Sequence, residues 1–364
     1  MKKLKAVMPI IGLRNPKIGR TDNQWDYCGP FDWVISFQSG QLWLAAQLTG
    51  DPAFVIGAQA RRQVFRNILA HPAELTHDLG FQFSLSCVAD WKMTGNHDAR
   101  ALALEAAEAL CRRFNRAGGY IKAWNPKAGD PSSAAYTSGR MIADTMQNLA
   151  LLYWAHREMG ASEFSEIADA HAEVTHRRLV RSDGSSYHTF VFDPDSGEAL
   201  RGETHQGFAN ESCWARGQSW MIHGFAQCYL YTQNPLYRET SARLAATAEK
   251  LMGDDAVPVW DYRLGAGAPR CRDSSAGAIM AAGLYILGSI SEGKEKERWV
   301  AFADRLLDGL ITTCDLSGDH DALGLLAHGA AHVPAGRDDS MLPYGDYYFI
   351  EALMRSVGHA DFFW

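Results

Sequence analysis

The sequence predicts an all-α protein arranged as an (α/α)6 toroid, a barrel in which inner and outer helices alternate around a ring. Three observations lead to this prediction: helical periodicity along most of the chain, the pairing of apolar helices with charged ones, and the near absence of strand patterns. Because no Pro- or Ser-rich linker divides the chain, residues 1–364 are expected to form a single domain.

Apolar residues recur at spacings of three and four, as they do on the buried face of a helix. The clear amphipathic runs are Gly40–Leu48, Pro52–His71, Ala99–Phe114, Ile142–Met159, Phe164–Leu179, Gly217–Tyr231, Pro235–Met252, Ser275–Ile290, Lys294–Leu310 and Gly345–Val357. A weaker run over Leu79–Thr94 and one near the N-terminus bring the total to about a dozen helices. The β-like segment Ser185–Phe192 lies between two turn signals and is predicted as a hairpin arm.

Several of these helices share one form. A small or acidic residue begins the helix, aromatic residues and Leu fill its middle, and a Gly-containing or polar break precedes a more charged helix. The segments GQLWLAAQLTGDPAF, DTMQNLALLYWAHREMGASEF, GQSWMIHGFAQCYLYTQNPLY and SAGAIMAAGLYILGSISEGKEKERW follow this form. Such pairs close into a ring with the apolar helix inside, so the N-terminal ends of the inner helices should meet at one mouth.

Composition narrows the class of partner. The net charge of −7 argues against nucleic acid or an anionic membrane surface. Seven Cys without a C-x-x-C pair indicate neither a disulfide framework nor a zinc site. The charged N-terminus has a short apolar run containing Pro9 and no cleavage site, so it is interpreted as mature sequence. A cytoplasmic protein is expected, and the sequence does not distinguish monomer from dimer.

The segment Glu211–Phe225 is the most informative part of the chain. It places Arg216 between Trp214 and Trp220, with Gly217 at the start of a helical pattern. Arginine recognises carboxylates through a planar fork, and tryptophan offers a stacking face for a sugar ring. The segment therefore predicts a pocket for an anionic carbohydrate, although two core tryptophans and a surface arginine would give the same pattern.

Two acidic residues begin predicted inner helices. Asp144 lies in GRMIADTMQNLALL, and Asp78 lies in THDLGFQFSL. Each could be a simple helix cap. If both point into one mouth, their repulsion raises the pKa of one of them, as a general acid at neutral pH requires. The sequence does not indicate which carboxyl keeps the proton.

Polar and aromatic residues in the predicted loops supply further binding candidates. His188, Gln206 and His77 are expected to hydrogen-bond sugar hydroxyls or a carboxylate, and Trp124 precedes a Pro at a predicted turn. Without H-E-x-x-H or a Cys partner, these histidines do not predict a metal site. The sequence also contains neither G-x-S-x-G nor a phosphate-binding G-x-x-x-x-G-K-[ST], and no βαβ unit for a dinucleotide.

The segments HDLGF, AWNP, IADTMQNL, YHTFVFDPDSG, RGETHQGF, WARGQSW and GDYYFIEAL resemble the unsaturated glucuronyl hydrolases of glycoside hydrolase family 88. They occur in the family's order over most of the chain. The resemblance implies an (α/α)6 barrel that hydrates the C4=C5 double bond of a 4-deoxy-4,5-unsaturated uronic acid at the non-reducing end of an oligosaccharide. No metal or organic cofactor is implied.

The resemblance also implies residue roles. Asp144 corresponds to the general acid/base, and Asp78 to a second pocket carboxylate that holds substrate and tunes its partner. The residues that correspond to substrate contacts are His188, Gln206, Arg216, Trp220 and Trp124, with His77 beside Asp78. The N-terminal part departs from the family pattern, because Gln38 stands near an expected aromatic ring and Trp33 is expected to supply the stacking surface instead.

Three alternatives remain at this stage. An unsaturated rhamnogalacturonyl hydrolase shares the barrel and the chemistry but acts on pectin fragments. A sugar 2-epimerase on the same barrel abstracts a proton with histidines, and a saccharide-binding toroid would have no turnover. The parent polysaccharide, the sulfate and linkage preference, and the relative roles of Gln38 and Trp33 are not determined by the sequence.

Overall fold

The computed structural model describes residues 1–364 and is mainly helical. The helices are α1 (Lys2–Ile11), α2 (Ile35–Thr49), α3 (Pro52–Gln59), α4 (Arg62–Leu69), α5 (Leu79–Phe83), α6 (Ala89–Thr94), α7 (His97–Cys111), α8 (Pro131–Thr137), α9 (Thr145–Met159), α10 (Ser162–Arg178), α11 (Ala215–Thr232), α12 (Pro235–Met252), α13 (Ser274–Ser289), α14 (Gly293–Thr313) and α15 (Pro343–Ser356). The strands are β1 (Asn15–Gly19), β2 (Trp25–Cys28), β3 (Phe114–Asn115), β4 (Tyr120–Ile121), β5 (Arg140–Ile142), β6 (Thr189–Phe192) and β7 (Ala199–Glu203). None of the helices combines the length and the apolar character needed to cross a membrane.

Six helices form a closed inner ring. In order they are α2, α5, α9, α11, α13 and α15; each contacts the next, and α15 returns to contact α2. Their side chains are buried on nearly every face, as over Ile35–Ala46 in α2 and Ser274–Gly288 in α13. Such all-round burial explains why apolar residues dominate these helices, although buried polar side chains such as Gln38 and Arg216 occur in them as well. The helices α3, α4, α7, α10, α12 and α14 follow them as the outer layer, and all but α3 carry charged residues, so the predicted (α/α)6 architecture is confirmed.

Most predicted helix positions agree with the structure. The run Pro235–Met252 matches α12 at both ends, and Leu79–Thr94 is one continuous helix made of α5, a π-helical segment and α6. The single helix expected over Pro52–His71 is wrong, because the chain breaks at Ala60–Arg61 between α3 and α4. The buried Arg61 guanidinium there donates to Arg14 O at 3.0 Å and to Asn15 Oδ1 at 2.6 Å.

Close approach of two inner helices depends on a glycine. A Cβ on Gly80 would lie 2.2 Å from the Asn148 Cα, so no larger residue fits between α5 and α9. At this crossing the Asn148 Oδ1 accepts a hydrogen bond from the Phe81 N–H at 2.6 Å. The contact therefore aligns the beginnings of the two helices that follow Asp78 and Asp144.

The strands are short and lie in loops that connect the helices. The strands β5, β6 and β7 form an antiparallel sheet in the order β5-β6-β7. The β6–β7 pair confirms the predicted hairpin arm, although the strand itself begins at Thr189 rather than Ser185. Beyond the last pair of the β5–β6 ladder, Ile142 with Thr189, the Ala143 N–H donates to His188 O at 2.9 Å. This register places His188 beside Asp144.

Candidate active site

The N-terminal ends of the inner helices converge on one mouth of the barrel. Asp78 directly precedes α5, Asp144 precedes α9, and Arg216 lies in the first turn of α11. Beside them is a cavity of about 1020 Å³, which has Thr76, Trp124 and His205 among its lining residues. Thr76 donates to Asp78 Oδ2 at 2.9 Å, so one lining residue of this cavity is hydrogen-bonded to the Asp78 carboxyl group.

His77 connects the two acidic helix starts. Its Nδ1 lies 3.0 Å from Thr145 Oγ1 and 3.4 Å from the Asn148 amide nitrogen, and its Nε2 lies 3.4 Å from Asp78 Oδ1. Because an amide nitrogen can only donate, Nδ1 is the accepting nitrogen, and the proton of the neutral ring is on Nε2, facing Asp78. Burial lowers the pKa of His77, which favours this neutral form.

His188 has the same relation to Asp144. Its Nε2 lies 3.6 Å from Asp144 Oδ2, and neither atom has another partner although both are buried. Its Nδ1 accepts from the backbone N–H groups of His205 and Gln206, each at 3.2 Å. Two N–H donors aimed at Nδ1 keep that nitrogen unprotonated, so the proton is on Nε2 and points towards Asp144. Catalytic hydrogen bonds are often long before substrate binds.

The pKa values of the two carboxyl groups, Asp78 and Asp144, are shifted in opposite directions. Burial raises the pKa of Asp78, and the nearby charge of Asp144 acts in the same direction. Burial alone would also raise the pKa of Asp144, but the His188 ring, followed by the His77 ring and Arg216, outweighs it, so that the pKa of Asp144 is lowered. The opposite shifts make Asp78 the carboxyl that retains a proton more readily in this structure.

Arg216 occupies the mouth as part of a buried ion pair. Its Nη1 donates to Asp273 Oδ2 at 2.6 Å and to Ala330 O at 2.7 Å, and its Nη2 donates to Ala331 O at 2.8 Å. Asp273, the N-cap of α13, is fully buried. The expectation of a freely available carboxylate fork is therefore corrected, since most of the guanidinium is bonded within the protein. One N–H of Nη2 has no bond within the protein, although the side chain as a whole is buried.

Replacing Arg216 with alanine is expected to destabilise the protein, because it leaves the Asp273 carboxylate buried without a counter-ion. Breaking a buried pair in this way costs about 3–5 kcal/mol. Denaturant unfolding would measure the loss. The matched control is Arg298→Ala, which removes the half-exposed pair with Glu249 on the outer helices and is expected to cost about 0–1 kcal/mol. Equal stability losses in the two variants would contradict this account of Arg216.

The other predicted contacts differ in accessibility. The Gln206 side chain donates to Ala331 O at 2.8 Å, which fixes it beside Arg216. Trp33 is partly exposed and packs on Tyr344 with ring centroids 4.9 Å apart, whereas Gln38 is buried within α2. Trp220 is completely buried, so the expectation that its ring stacks on a sugar is wrong. Its ring contacts Phe81 and Tyr348 in the core beneath the mouth, and its role there is packing.

Trp124 does provide an accessible aromatic surface. Its ring stacks on Tyr136 with centroids 5.9 Å apart and planes 18° from parallel, and it also contacts His205 at 5.0 Å. The Tyr136 hydroxyl is hydrogen-bonded to His205 Nδ1 at 2.8 Å. Trp124, Tyr136 and His205 thus form a single wall of the cavity. A flat apolar wall beside polar groups suits a sugar ring, whose faces are apolar and whose edge carries hydroxyls.

Sequence reasoning missed several residues that build the mouth. They are Tyr136, Thr145, Asn148, Asp273 and Tyr344. Asp273 could have been found, because it precedes an inner helix as Asp78 and Asp144 do, in the segment RDSSAGAIM. The helix α8 that carries Tyr136 also had a signal, since Asp130-Pro131 is a typical helix start and Asp130 caps α8.

Comparison with known proteins agrees with this architecture. The sequence pattern of Glycosyl Hydrolase Family 88 matches residues 16–360. The chain is 39% identical over 362 residues to the unsaturated glucuronyl hydrolase of Bacillus sp. (strain GL1), spanning 97% of this chain and 93% of the relative. The crystal structure of the unsaturated glucuronyl hydrolase from Bacillus sp. GL1 superimposes with a TM-score of 0.90 at 38% identity, spanning 97% and 93% of the two chains.

A second solved structure was obtained with a ligand. It is a mutant of the unsaturated glucuronyl hydrolase from Streptococcus agalactiae complexed with dGlcA-GalNAc6S. The chain superimposes on it with a TM-score of 0.85 at 26% identity, and the match spans 100% of this chain and 90% of the other.

Proposed function

We propose, since this chain belongs to Glycosyl Hydrolase Family 88, that its paired carboxyl groups act on an unsaturated uronic acid. The protein is a hydrolase of the unsaturated glucuronyl type, acting on oligosaccharides that carry a 4-deoxy-4,5-unsaturated uronic acid at the non-reducing end. The observation that supports the site assignment most directly is the pairing of Asp78 with His77 and of Asp144 with His188 at the bottom of one aromatic-walled mouth.

The substrate carries a vinyl ether, so hydration of the double bond can replace direct cleavage of the glycosidic bond. Asp144 in its acid form protonates C4, and positive charge develops at C5 and the ring oxygen. The resulting Asp144 carboxylate then takes a proton from a water molecule whose oxygen adds to C5. The hemiketal that forms opens and expels the remaining saccharide. One carboxyl group thereby acts first as acid and then as base.

The pKa of Asp144 is lowered in this structure. The mechanism therefore requires Asp144 to gain a proton when substrate binds. The uronate carboxylate supplies a physical reason. A negative charge brought close to Asp144 and Arg216 disfavours a second negative charge on Asp144 and offsets the effect of the Arg216 cation. Closure of the site around the sugar also removes water, which raises the pKa of a carboxyl further. Asp78, whose pKa is already raised, is the nearby group from which a proton is most readily available.

The wall and the rim of the cavity suit a saccharide with a negative charge. Trp124 offers its ring to one sugar face, and Gln206 together with the free Nη2 hydrogen of Arg216 lies where a uronate carboxylate would be held. Just before α2, the partly exposed Trp33 provides a second aromatic ring. A cavity of about 1020 Å³ has room for more than one sugar residue, which agrees with an oligosaccharide substrate.

The histidines of the mouth are poorly suited to the chemistry of a sugar 2-epimerase. A histidine that moves protons must change its protonation state, but His188 Nδ1 accepts two backbone N–H bonds that would oppose a proton there. Burial also lowers the pKa of His188. The carboxyls are therefore the better acid and base groups. An unsaturated rhamnogalacturonyl hydrolase would use the same groups, and substrate choice distinguishes it.

The direct test is an assay in which the ultraviolet absorbance of the conjugated double bond is followed with a panel of lyase-generated disaccharides. We expect the absorbance to disappear with unsaturated glucuronyl disaccharides and not with pectin-derived unsaturated rhamnogalacturonyl disaccharides. Saturated disaccharides of the same linkage serve as the control and should release no monosaccharide. Absence of turnover with every unsaturated uronyl substrate would refute the proposed function.

A further inference from the structure

Arg113 is a partly buried cation next to the mouth that the proposed mechanism does not use. It follows the end of α7, and its four side-chain hydrogen bonds all go to uncharged oxygens. Its guanidinium donates to three backbone carbonyl oxygens and one amide: Leu75 O at 2.6 Å, Lys122 O at 3.0 Å, Ala123 O at 3.1 Å and Asn125 Oδ1 at 2.9 Å. An arginine with three of its four hydrogen bonds to main-chain oxygens fixes the path of the chain around it.

The segments that Arg113 joins are two walls of the active site. One segment, 73–75, leads directly into His77 and Asp78. The other, 122–125, carries Trp124. Asn125 completes the connection, because its side-chain amide donates to Ala73 O at 2.9 Å and Leu75 O at 2.8 Å. The His77 N–H also donates to Ala123 O, so one carbonyl oxygen serves both Arg113 and the residue before Asp78.

The positive charge of Arg113 also affects His77, which faces Asp78. Burial lowers the pKa of Arg113 to about 10, and at that value the group remains a cation at neutral pH. Its positive charge adds to burial in lowering the pKa of His77. The same residue thus holds the two segments together and favours the neutral imidazole that faces Asp78.

We propose that Arg113 is a positioning residue of the hydrolytic site, which holds the Trp124 wall at the distance from Asp78 that the sugar occupies. The inference rests on the proposed function, because it concerns where the saccharide lies. Arg113 does not touch the substrate in this account. It influences substrate binding by holding Trp124, and it influences the reaction through His77 and Asp78. The effect of its loss on KM should therefore depend on whether Trp124 is present.

The test is a double-mutant cycle with Arg113→Met and Trp124→Ala, assayed on the unsaturated disaccharide that the wild-type protein turns over. In the wild-type background we expect Arg113→Met to raise KM about threefold to tenfold, the range of a lost aromatic contact. In the Trp124→Ala background the same substitution should raise KM by less than about twofold, because residues that act as a unit are not additive. Asn125→Ala should raise KM in the same direction as Arg113→Met, and it covers the case in which Arg113→Met fails to fold.

The control is Arg100→Met. Arg100 lies on α7, the helix that Arg113 follows, but it donates to Glu158 Oε2 at 2.6 Å near the C-terminal end of α9, away from the mouth. This substitution should lower the melting temperature and leave KM unchanged. An unchanged KM in both Arg113→Met and Asn125→Ala, or equal fold-changes of KM with and without Trp124, would overturn the inference. Wild-type turnover is the separate check of the proposed function, so failure of the two ideas can be distinguished.

Discussion

The Asp144→Asn protein is expected to lose kcat by about 10²–10⁴ while keeping its fold, because general acid–base catalysis contributes a factor of that size. The amide cannot protonate C4 or accept a proton from water. Its structural cost should be small, since the Asp144 side chain makes no capping hydrogen bond to α9 and its Oδ2 has no partner in the empty site. The loss would be measured as the rate of absorbance decay at saturating substrate.

Asp51→Asn provides the matched control for Asp144→Asn. Asp51 also precedes a helix and accepts from the Ala53 N–H at 3.0 Å, but it begins the outer helix α3, directly after the C-terminal end of α2. Its substitution should leave kcat unchanged. Thermal unfolding of both variants separates catalytic loss from misfolding. If Asp144→Asn retained more than roughly a tenth of the wild-type rate, Asp144 would not be the acid.

The Asp78→Asn protein is expected to lose kcat by about 10², somewhat less than Asp144→Asn, because Asp78 assists the acid rather than donating to C4 itself. Its Oδ2 accepts from the Thr76 hydroxyl and its Oδ1 faces His77 Nε2, and the single asparagine oxygen can take only one of these two places. The substitution therefore removes the titratable proton and the negative charge with little change in shape.

The pH profile distinguishes this role from a purely structural one. Ionised Asp78 is a like charge that opposes ionisation of Asp144, so its removal should lower the pKa of Asp144. A smaller fraction of Asp144 is then protonated at a given pH, and the alkaline limb of the kcat profile should move to lower pH. A lowered kcat with an unmoved alkaline limb would mean that Asp78 does not influence the protonation of Asp144.

The fold was predictable because its information is local. Apolar residues dominate the inner helices, and the breaks after them contain Gly or polar residues, so their order and approximate bounds can be deduced from periodicity. The break at Arg61 was not predictable in this way. It depends on a side chain that reaches Asn15 and Ile35 O, in segments that are distant along the chain.

The site was predicted in its composition more than in its geometry. Helix starts indicated Asp78 and Asp144 because an acidic residue precedes each apolar run. Periodicity did not show that Trp220 lies below the accessible surface, since a buried ring and a stacking ring have the same spacing. The protonation of the pair depends on His188, whose tautomer is set by two backbone N–H groups in the loop after β7. That arrangement arises from a strand register between distant segments, which no local pattern encodes.

The parallel arrangement of the inner ring has an electrostatic consequence. Each helix carries about half a positive charge at its N-terminus, and six such ends surround the same opening. A molecule with a net charge of −7 therefore presents, at one place, a field that attracts anions. The negatively charged surface repels an acidic sugar at long range, and the N-terminal ends of the inner helices oppose this repulsion at close range. The attraction therefore comes from the backbone and not from an exposed cluster of lysines, which would also attract nucleic acids.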